Sequence, residues 1–494
     1  MLFTSGQFIF GYLPIVLVVF FLIGKLNRIA AAAFLTLASL FFYGYWDKKY
    51  LVLLLVSISM NYGLGYCLQT SSGQGVKKLV LALGVGANLL LLGYFKYTNF
   101  VVANFSALTG IEFAVNQIVL PLGISFFTFT QIAFLVDAHR GEAREYNPVH
   151  YALFVTYFPH LIAGPILHHK QMMPQFGEAK TYSPVLENFV VGLTIFLIGL
   201  FKKLVLADEI APQASAVFEA AASGKPLGFL EAWIGALSYT LQLYFDFSGY
   251  SDMAIGLSRL FGIQLPINFN SPYKATNITD FWRRWHITLS TFLRDYLYIP
   301  LGGSRRGPFR RYLNLFLTML LGGIWHGAGW TFVVWGALHG FYLVVNHSWR
   351  ALCTRLGFQP RGLLWTASCW LITFLAVVVA WVYFRAPSLT TANAILISML
   401  SPGNVTLQPE LAKLSAWLLC AVLLAIALIL PNTQQFMASF RPGWEFRSNG
   451  AFGEWWRWRP TSAWALYVGS IGAAVVFASI WSTQTIREFL YFQF

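Results

Sequence analysis

The sequence has few charged residues, and acidic ones are the scarcest. Only 11% of its 494 residues are Asp, Glu, Lys or Arg, and Asp and Glu together number 19. A soluble globular chain carries about 25% charged residues, because its surface faces water. With 57% hydrophobic residues, this chain would expose apolar area over most of its surface. The composition excludes an ordinary soluble protein and a disordered chain, and it predicts a polytopic membrane protein.

Cysteine is also scarce. The chain has four cysteines, and they show no Cys-X-X-Cys or Cys/His spacing; they are Cys67, Cys353, Cys369 and Cys420. A structural zinc site and a disulfide framework both need closely grouped ligands or partners. We therefore expect no metal site and no disulfide framework.

Most of the charge that is present is positive. Lys and Arg number 33, which gives a formal net charge of +14. In a soluble protein this excess would indicate nucleic-acid binding. In a membrane protein it is typical of cytoplasmic loops, which hold Lys and Arg near the ends of spans. We expect a lipid bilayer as the surroundings and no nucleic acid as a partner, and an anionic cytoplasmic ligand is a further use for the charge.

Long apolar runs recur along the chain, and a run of about 20 residues crosses a bilayer as a helix. They cover roughly residues 7–24, 30–46, 50–68, 79–95, 118–136, 150–167, 188–206, 228–248, 312–345, 364–384, 411–430 and 463–481. The run 312–345 is too long for one crossing and contains six glycines, so we expect two spans or a broken one. The segment 159–166 is a candidate re-entrant turn. The pattern predicts a single all-α membrane domain over residues 1–494, with about 11–14 transmembrane or re-entrant helices.

Two polar stretches interrupt this pattern. Residues 264–311, the basic stretch, contain eight Lys or Arg residues and two Asp residues, which predicts a cytoplasmic loop. Arginine also binds phosphate groups through paired N–H donors, so the basic stretch can equally be a ligand funnel. Residues 432–461 mix Arg with Trp, which is typical of a segment at the membrane interface.

His326 is an ionisable residue between two apolar runs, in the sequence GGIWHGAGW. Such a group is costly in lipid and is by default a functional hypothesis. An imidazole there can act as a base, a nucleophile or a structural donor. Because Gly323 and Gly327 let substrate or backbone approach closely, we favour the catalytic role.

His286 lies in a segment that reads as an amphipathic helix from Asp280 onwards, with Thr279 as its N-cap. Arg283 and Arg284 supply the polar face, and aromatic residues supply the apolar face. A helix of this kind lies at the membrane interface, and His286 would face the helix bundle.

Asp246 and Asp252 end an apolar run in YFDFSGYSDMAIG. A buried aspartate can cap a broken helix or pair with an arginine, and it can also contact a ligand. Asn268, Asn270 and Asn277 follow, and they could order the basic stretch or contact a ligand.

Taken together, these segments resemble the membrane-bound O-acyltransferase (MBOAT) family. The resemblance is most specific over residues 240–340, in YFDFSGYSDMAIGLSRLFG, LPINFNSPYKATNITDFWRRWHITLSTFLRDYLYIPLGG and GGIWHGAGWTFVVWGALHG. It extends over nearly the whole chain. The chain most closely resembles the bacterial branch of the family that acetylates alginate. It resembles the branch that transfers D-alanine to teichoic acid more distantly.

The resemblance implies a ring of helices around a central funnel, with His326 at its narrow point and His286 as the second catalytic residue. It implies acetyl-coenzyme A as a cytoplasmic donor substrate, with no bound cofactor. A periplasmic acetyltransferase or acetyl-carrier protein would complete O-acetylation of an exported polysaccharide, alginate-like or cellulose-like, at the bacterial inner membrane. With the family in view, we predict substrate-binding roles for Arg283, Arg284, Arg294, Asp246, Asn277 and Trp325.

Two other functions stay open on the sequence. A transporter or channel for an acyl group or glycan, without chemistry of its own, would also carry polar residues inside the membrane. It should show an inverted repeat, and none is visible. Transfer of D-alanyl or another acyl group on the same fold would give a similar sequence. The pocket for the acyl group is formed by apolar residues, and these occur everywhere in this chain.

Overall fold

The computed structural model describes residues 1–111, 117–145, 147–403, 405, 407–446, 456–481 and 489–490, without the side chains of 476–481. This part of the chain is helical and contains no β-strand beyond one isolated bridge, between Pro266 and Trp444. Its α-helices are α1 Leu13–Gly24, α2 Arg28–Gly44, α3 Lys49–Thr70, α4 Gln74–Thr109, α5 Ile124–Arg140, α6 Pro148–Thr156, α7 Phe158–Leu161, α8 His169–Gly177, α9 Leu186–Phe201, α10 Asp208–Ala222, α11 Phe229–Leu260, α12 Ile278–Arg284, α13 Ile287–Leu293, α14 Gly307–His326, α15 Trp330–Arg355, α16 Leu363–Arg385, α17 Leu389–Met399, α18 Leu414–Ile429, α19 Thr433–Phe436 and α20 Ser462–Trp481. Single π-helical turns cover Gln7–Tyr12, Lys202–Ala207 and Arg294–Tyr298.

Several of these helices suit a bilayer by length and composition. Among the described residues, six helical stretches are long and apolar enough to cross a membrane: Gln7–Gly24, Lys49–Thr70, Gln74–Thr109, Leu186–Ala222, Leu363–Arg385 and Pro409–Ile429. The predicted all-α polytopic membrane fold is confirmed. The total of 11–14 crossing or re-entrant helices stays a prediction, since α11, α14 and α15 have 32, 20 and 26 residues but carry more polar residues than these six.

Helix α11 is the centre of the packing. Most of its side chains from Glu231 to Leu260 are buried, and it packs against α9 and α10. Glycines make the contact with α9 close, because a Cβ atom on Gly199 would lie only 2.7 Å from the carbonyl oxygen of Gly249. This packing fixes the helix that carries Asp246 and Asp252.

The long apolar run 312–345 forms two helices, as predicted. Helix α14 ends at His326 and α15 begins at Trp330, so residues 327–329 form a break between them. The two helices cross closely where Gly323 meets Gly336, since a Cβ atom on Gly323 would lie 2.7 Å from the Cα atom of Gly336. The break therefore lies within packed protein, where irregular backbone is tolerated in membrane proteins.

The prediction of one amphipathic helix from Asp280 onwards is wrong. Helices α12 and α13 are separate, and His286 between them adopts a left-handed conformation with φ of +43°. The N-cap is Asn277 rather than Thr279, because the Asn277 side chain accepts a hydrogen bond from the Asp280 N–H at 2.9 Å. The aromatic face, including Trp282 and Trp285, is buried in the protein. Hydrophobic periodicity does not reveal a reversal of backbone direction at a single residue.

The described part of the predicted interface segment 432–461 packs against the basic stretch; residues 447–455 lie outside the described residues. The Asn432 side-chain amide donates to the Asn270 side-chain oxygen at 2.9 Å, and the Trp444 N–H donates to the Leu265 carbonyl at 2.9 Å. The placement of this segment at the membrane interface stays a prediction.

Candidate active site

His326 is the last residue of α14, and its side chain is only 6% exposed. Its ring lies 4.9 Å from the rings of both Trp325 and Trp335 and 5.2 Å from that of Phe384, all edge to face. Such contacts favour one orientation of the imidazole. The predicted catalytic histidine therefore lies in an aromatic enclosure at a helix break.

The carbonyl groups at the end of α14 are bound by α4. The Lys96 ammonium group donates to the carbonyl oxygens of Trp325 at 2.5 Å and His326 at 2.9 Å, and the Tyr97 hydroxyl donates to that of Ile324 at 2.8 Å. Final carbonyls of a helix have no partner within the helix, so these contacts satisfy three of them. Sequence reasoning missed both residues, because the predicted span 79–95 stopped just before the lysine, whereas α4 continues to Thr109.

His286 is held at the junction of α12 and α13 by Asn268. The Asn268 side-chain oxygen lies 3.1 Å from His286 Nδ1 and also accepts the Thr288 N–H at 3.2 Å and the Thr288 hydroxyl at 2.9 Å. Because this oxygen is an acceptor, Nδ1 carries the imidazole hydrogen and the lone pair is on Nε2. Asn268 thus fixes the tautomer of the second predicted catalytic histidine.

The structure brings three of the buried histidines, His286, His326 and His339, into one region. His286 and His339 both lie within electrostatic range of His326. His339 is on α15, one turn beyond Trp335, and its Nδ1 atom accepts the Trp282 indole N–H at 3.3 Å. Sequence reasoning did not single out His339, although an ionisable residue in an apolar helix was the available signal.

Trp325 and Asn277 are placed differently from each other. The Trp325 ring stacks on Phe129, with centroids 4.7 Å apart and planes 14° apart, and it lies next to His326. The Asn277 side chain caps α12 by accepting a hydrogen bond from the Asp280 N–H, which is a structural role. Trp325 therefore borders the site, whereas Asn277 orders the segment leading to it.

Asp246 belongs to a separate group of buried charges. One of its carboxylate oxygens lies 2.7 Å from the Lys203 ammonium group, and the other accepts the Leu490 N–H at 3.0 Å. Lys203 also pairs with Asp208 at 2.8 Å. For Asp246 the sequence left open an ion pair with an arginine or contact with a ligand. The structure shows an ion pair, and its cation is a lysine.

Asp252, on the next turns of α11, is compensated in the same way. Its carboxylate pairs with Lys202 at 2.6 Å and accepts hydrogen bonds from Thr433 at 2.6 Å and Gln434 at 2.7 Å. We refer to the paired side chains of this region as the buried ion cluster: Lys202, Lys203, Asp208, Asp246 and Asp252.

The three arginines predicted to bind substrate lie in different surroundings. Arg284 pairs with Asp280 at 2.9 Å, and Arg294 pairs with its neighbour Asp295 at 2.6 Å. Arg283 is exposed and lies close enough to His347 for its charge to act there. Of the three, Arg283 is the one whose charge acts on His347.

A basic cavity of about 480 Å³ lies at that end of α15 and is lined in part by Arg311, His347 and Arg350. The Arg311 guanidinium group lies 3.0 Å from His347 Nδ1. An apolar cavity of about 610 Å³ shares Arg350 with it and extends along α15 past Asn346 and Tyr342. In the part of the chain that the structure describes, no group of three or more His, Cys, Asp or Glu residues could hold a metal ion.

Comparison with known proteins identifies the family. The model of the MBOAT, membrane-bound O-acyltransferase family matches residues 40–385. The chain is 41% identical to the peptidoglycan O-acetyltransferase of Helicobacter pylori, over all of this chain and 98% of the relative. It is 40% identical to the probable alginate O-acetylase AlgI of Pseudomonas putida, over the full length of both. It is 29% identical to the teichoic acid D-alanyltransferase of Bacillus subtilis, over 53% of this chain and 66% of the relative. The chain therefore belongs to the membrane-bound O-acyltransferase family and is an acyltransferase.

Proposed function

We propose that this enzyme takes an acetyl group from cytoplasmic acetyl-coenzyme A and passes it across the bacterial inner membrane for O-acetylation of an exported glycan. One observation carries the proposal. His326 is enclosed at a helix break beside His286, in a chain whose full-length relatives are named as O-acetyltransferases.

The chemistry requires a group that can accept and return a proton. A hydroxyl oxygen of the acceptor attacks the thioester carbonyl, its proton moves to a base, and a C–O bond forms. The C–S bond then breaks, and the thiolate receives a proton. Neutral imidazole can perform both transfers. His326 fills this role at the reacting atoms, and the Nε2 lone pair of His286 offers a second acceptor.

A covalent route would use the same residue differently. In it, a ring nitrogen of His326 attacks the thioester carbonyl, the C–S bond breaks and coenzyme A leaves as its thiolate, which takes up a proton. The acceptor hydroxyl oxygen then attacks the acetyl carbonyl, and the C–N bond to His326 breaks. Rapid quenching with labelled donor distinguishes the two routes, because only the covalent route leaves label on the protein.

The donor suits the two cavities along α15. Coenzyme A carries its phosphates at one end and its thioester at the other, and arginine forks bind phosphate oxygens. Arg350 lies roughly 22 Å further along α15 than Trp335, which touches His326. An extended donor with phosphates in the basic cavity and its thioester near His326 would match this separation.

The acceptor is proposed by likeness. The two full-length relatives are named for peptidoglycan and alginate, which are both carbohydrate polymers. We therefore propose an exported glycan, peptidoglycan or an alginate-like or cellulose-like polymer, reached through a periplasmic acetyltransferase or acetyl-carrier protein. D-alanyl transfer has weaker support, because that relative matches only about half of the chain. Transport without chemistry has no support from these acyltransferase relatives.

Labelled donors test the proposal directly. The purified protein is reconstituted in vesicles with acetyl-coenzyme A labelled in the acetyl group, and a soluble glycan fragment or carrier protein is supplied on the opposite side. We expect label to reach the acceptor, and acetyl-coenzyme A to compete better than longer acyl donors. Label transfer from a D-alanyl carrier instead, or solute movement without any label transfer, would contradict the proposal.

A further inference from the structure

Helix α4 holds the chain on both sides of the break that contains His326. Before the break, Lys96 and Tyr97 bind the carbonyls of residues 324–326. After it, the Trp330 indole N–H donates to the Asn104 side-chain oxygen at 2.9 Å. The three α4 residues that make these contacts, Lys96, Tyr97 and Asn104, thus form a bracket around residues 327–329.

Lys96 is the buried member of this bracket and is only 8% exposed. Besides the two carbonyls, its ammonium group lies 3.5 Å from the Ser125 hydroxyl, so each of its three hydrogens has an acceptor. No ion pair within the described residues includes Lys96. The partial negative charge at the C-terminal end of a helix favours a cation in this position.

The backbone after His326 offers no substitute for this contact. Gly327 is extended, with φ of −161° and ψ of 153°, so the chain does not turn back to cap α14. One of the two carbonyls that Lys96 binds belongs to His326 itself, and the other belongs to the preceding residue. Loss of the ammonium group would therefore leave these two carbonyls unbound at the end of α14, where the imidazole is attached.

We propose that Lys96 is a positioning residue for His326, which fixes the end of α14 so that the imidazole keeps its place at the break. Tyr97 supports the same turn through one further hydrogen bond. This inference rests on the proposed role of His326 in acyl transfer. A displacement of about 1 Å at a reacting group can lower a rate by about 100-fold, so the contact has kinetic importance.

Three lysine variants test the inference. Lys96→Met removes the donors and keeps the side-chain length, Lys96→Arg keeps donors and charge, and Lys78→Met removes an exposed lysine from the same helix as a matched control. We expect Lys96→Met to lower kcat by about 100-fold with little change in the KM for donor. Lys96→Arg should recover part of that loss, and Lys78→Met should behave as wild type.

The thermal unfolding and the amount of folded protein are measured alongside. A normal kcat for Lys96→Met, or a loss accounted for by the fraction folded and not relieved in Lys96→Arg, would overturn the inference. If Lys96→Met does not fold, Tyr97→Phe replaces it, and we expect a several-fold lower kcat at unchanged yield; an unchanged kcat there would overturn the inference. An active His326→Ala variant would instead overturn the proposed function on which the inference rests.

Discussion

Two groups of buried charged side chains differ in how they are compensated. In the buried ion cluster, Lys202 and Lys203 each pair with a carboxylate on α11. At the helix break, Lys96 binds backbone carbonyls next to His326. Ion pairs satisfied inside the protein account for the first group as structure, whereas the second fixes a residue suited to proton transfer. Buried charge alone therefore does not identify the active site, and the partners of the charge distinguish these two groups.

The comparison predicts its largest effect at His326. We expect His326→Ala to reduce acetyl transfer by about 1,000-fold, since a positioned base contributes about 10²- to 10⁴-fold. Transfer of labelled acetyl groups by purified protein measures the effect. His150→Ala, at a half-buried histidine packed on Phe176, serves as control and should stay active with normal folding. Substantial activity in His326→Ala would contradict the assignment.

The buried ion cluster should respond in stability rather than in rate. Lys203→Met leaves Asp246 and Asp208 without their cation, and breaking a buried pair in this way costs about 3–5 kcal/mol. We expect a lower unfolding temperature and yield, with kcat per folded molecule close to wild type. The double variant Lys203→Met/Asp246→Asn should regain part of the stability. A normal unfolding temperature but a large loss in kcat would place the cluster in the active site instead.

A smaller effect is expected from the residue that orients His286. Asn268→Ala removes the acceptor for Nδ1–H, and we expect kcat to fall about tenfold, which corresponds to about 1.4 kcal/mol. The loss should be less than that of His286→Ala. Asn270→Ala removes a side chain that contacts Asn432 and is the matched control. An equal loss in both asparagine variants would indicate a general effect on the basic stretch.

The smallest effect concerns the arginines, which the sequence treated alike. Arg283→Ala should raise the KM for donor a few-fold at low salt and less at high salt, because exposed charges are screened. Arg294→Ala should change little, since its neighbour Asp295 already compensates its charge. Steady-state kinetics at two ionic strengths measures both. Equal effects of the two substitutions would indicate that these arginines only set the membrane topology and do not bind the donor.

The sequence predicted the features that depend on local composition. Apolar run length indicated the helices, and the glycines in 312–345 indicated that this run is interrupted, without placing the break. The turn at His286 was not predicted, because it depends on Asn268, which is 18 residues away. Lys96 was missed because its partners at residues 325 and 326 lie about 230 positions later in the chain. Contacts of that range arise from packing between helices, which periodicity does not report.

The buried ion cluster also bears on how the protein is made. Asp246 receives the Leu490 N–H from 244 positions later in the chain, and Asp252 receives Thr433 and Gln434 from 181 and 182 positions later. During translation, α11 therefore leaves the ribosome long before these donors exist. The lysines of the cluster, which precede α11 in the chain, are the partners already available to the two carboxylates during insertion, and the other donors follow 181 to 244 positions later.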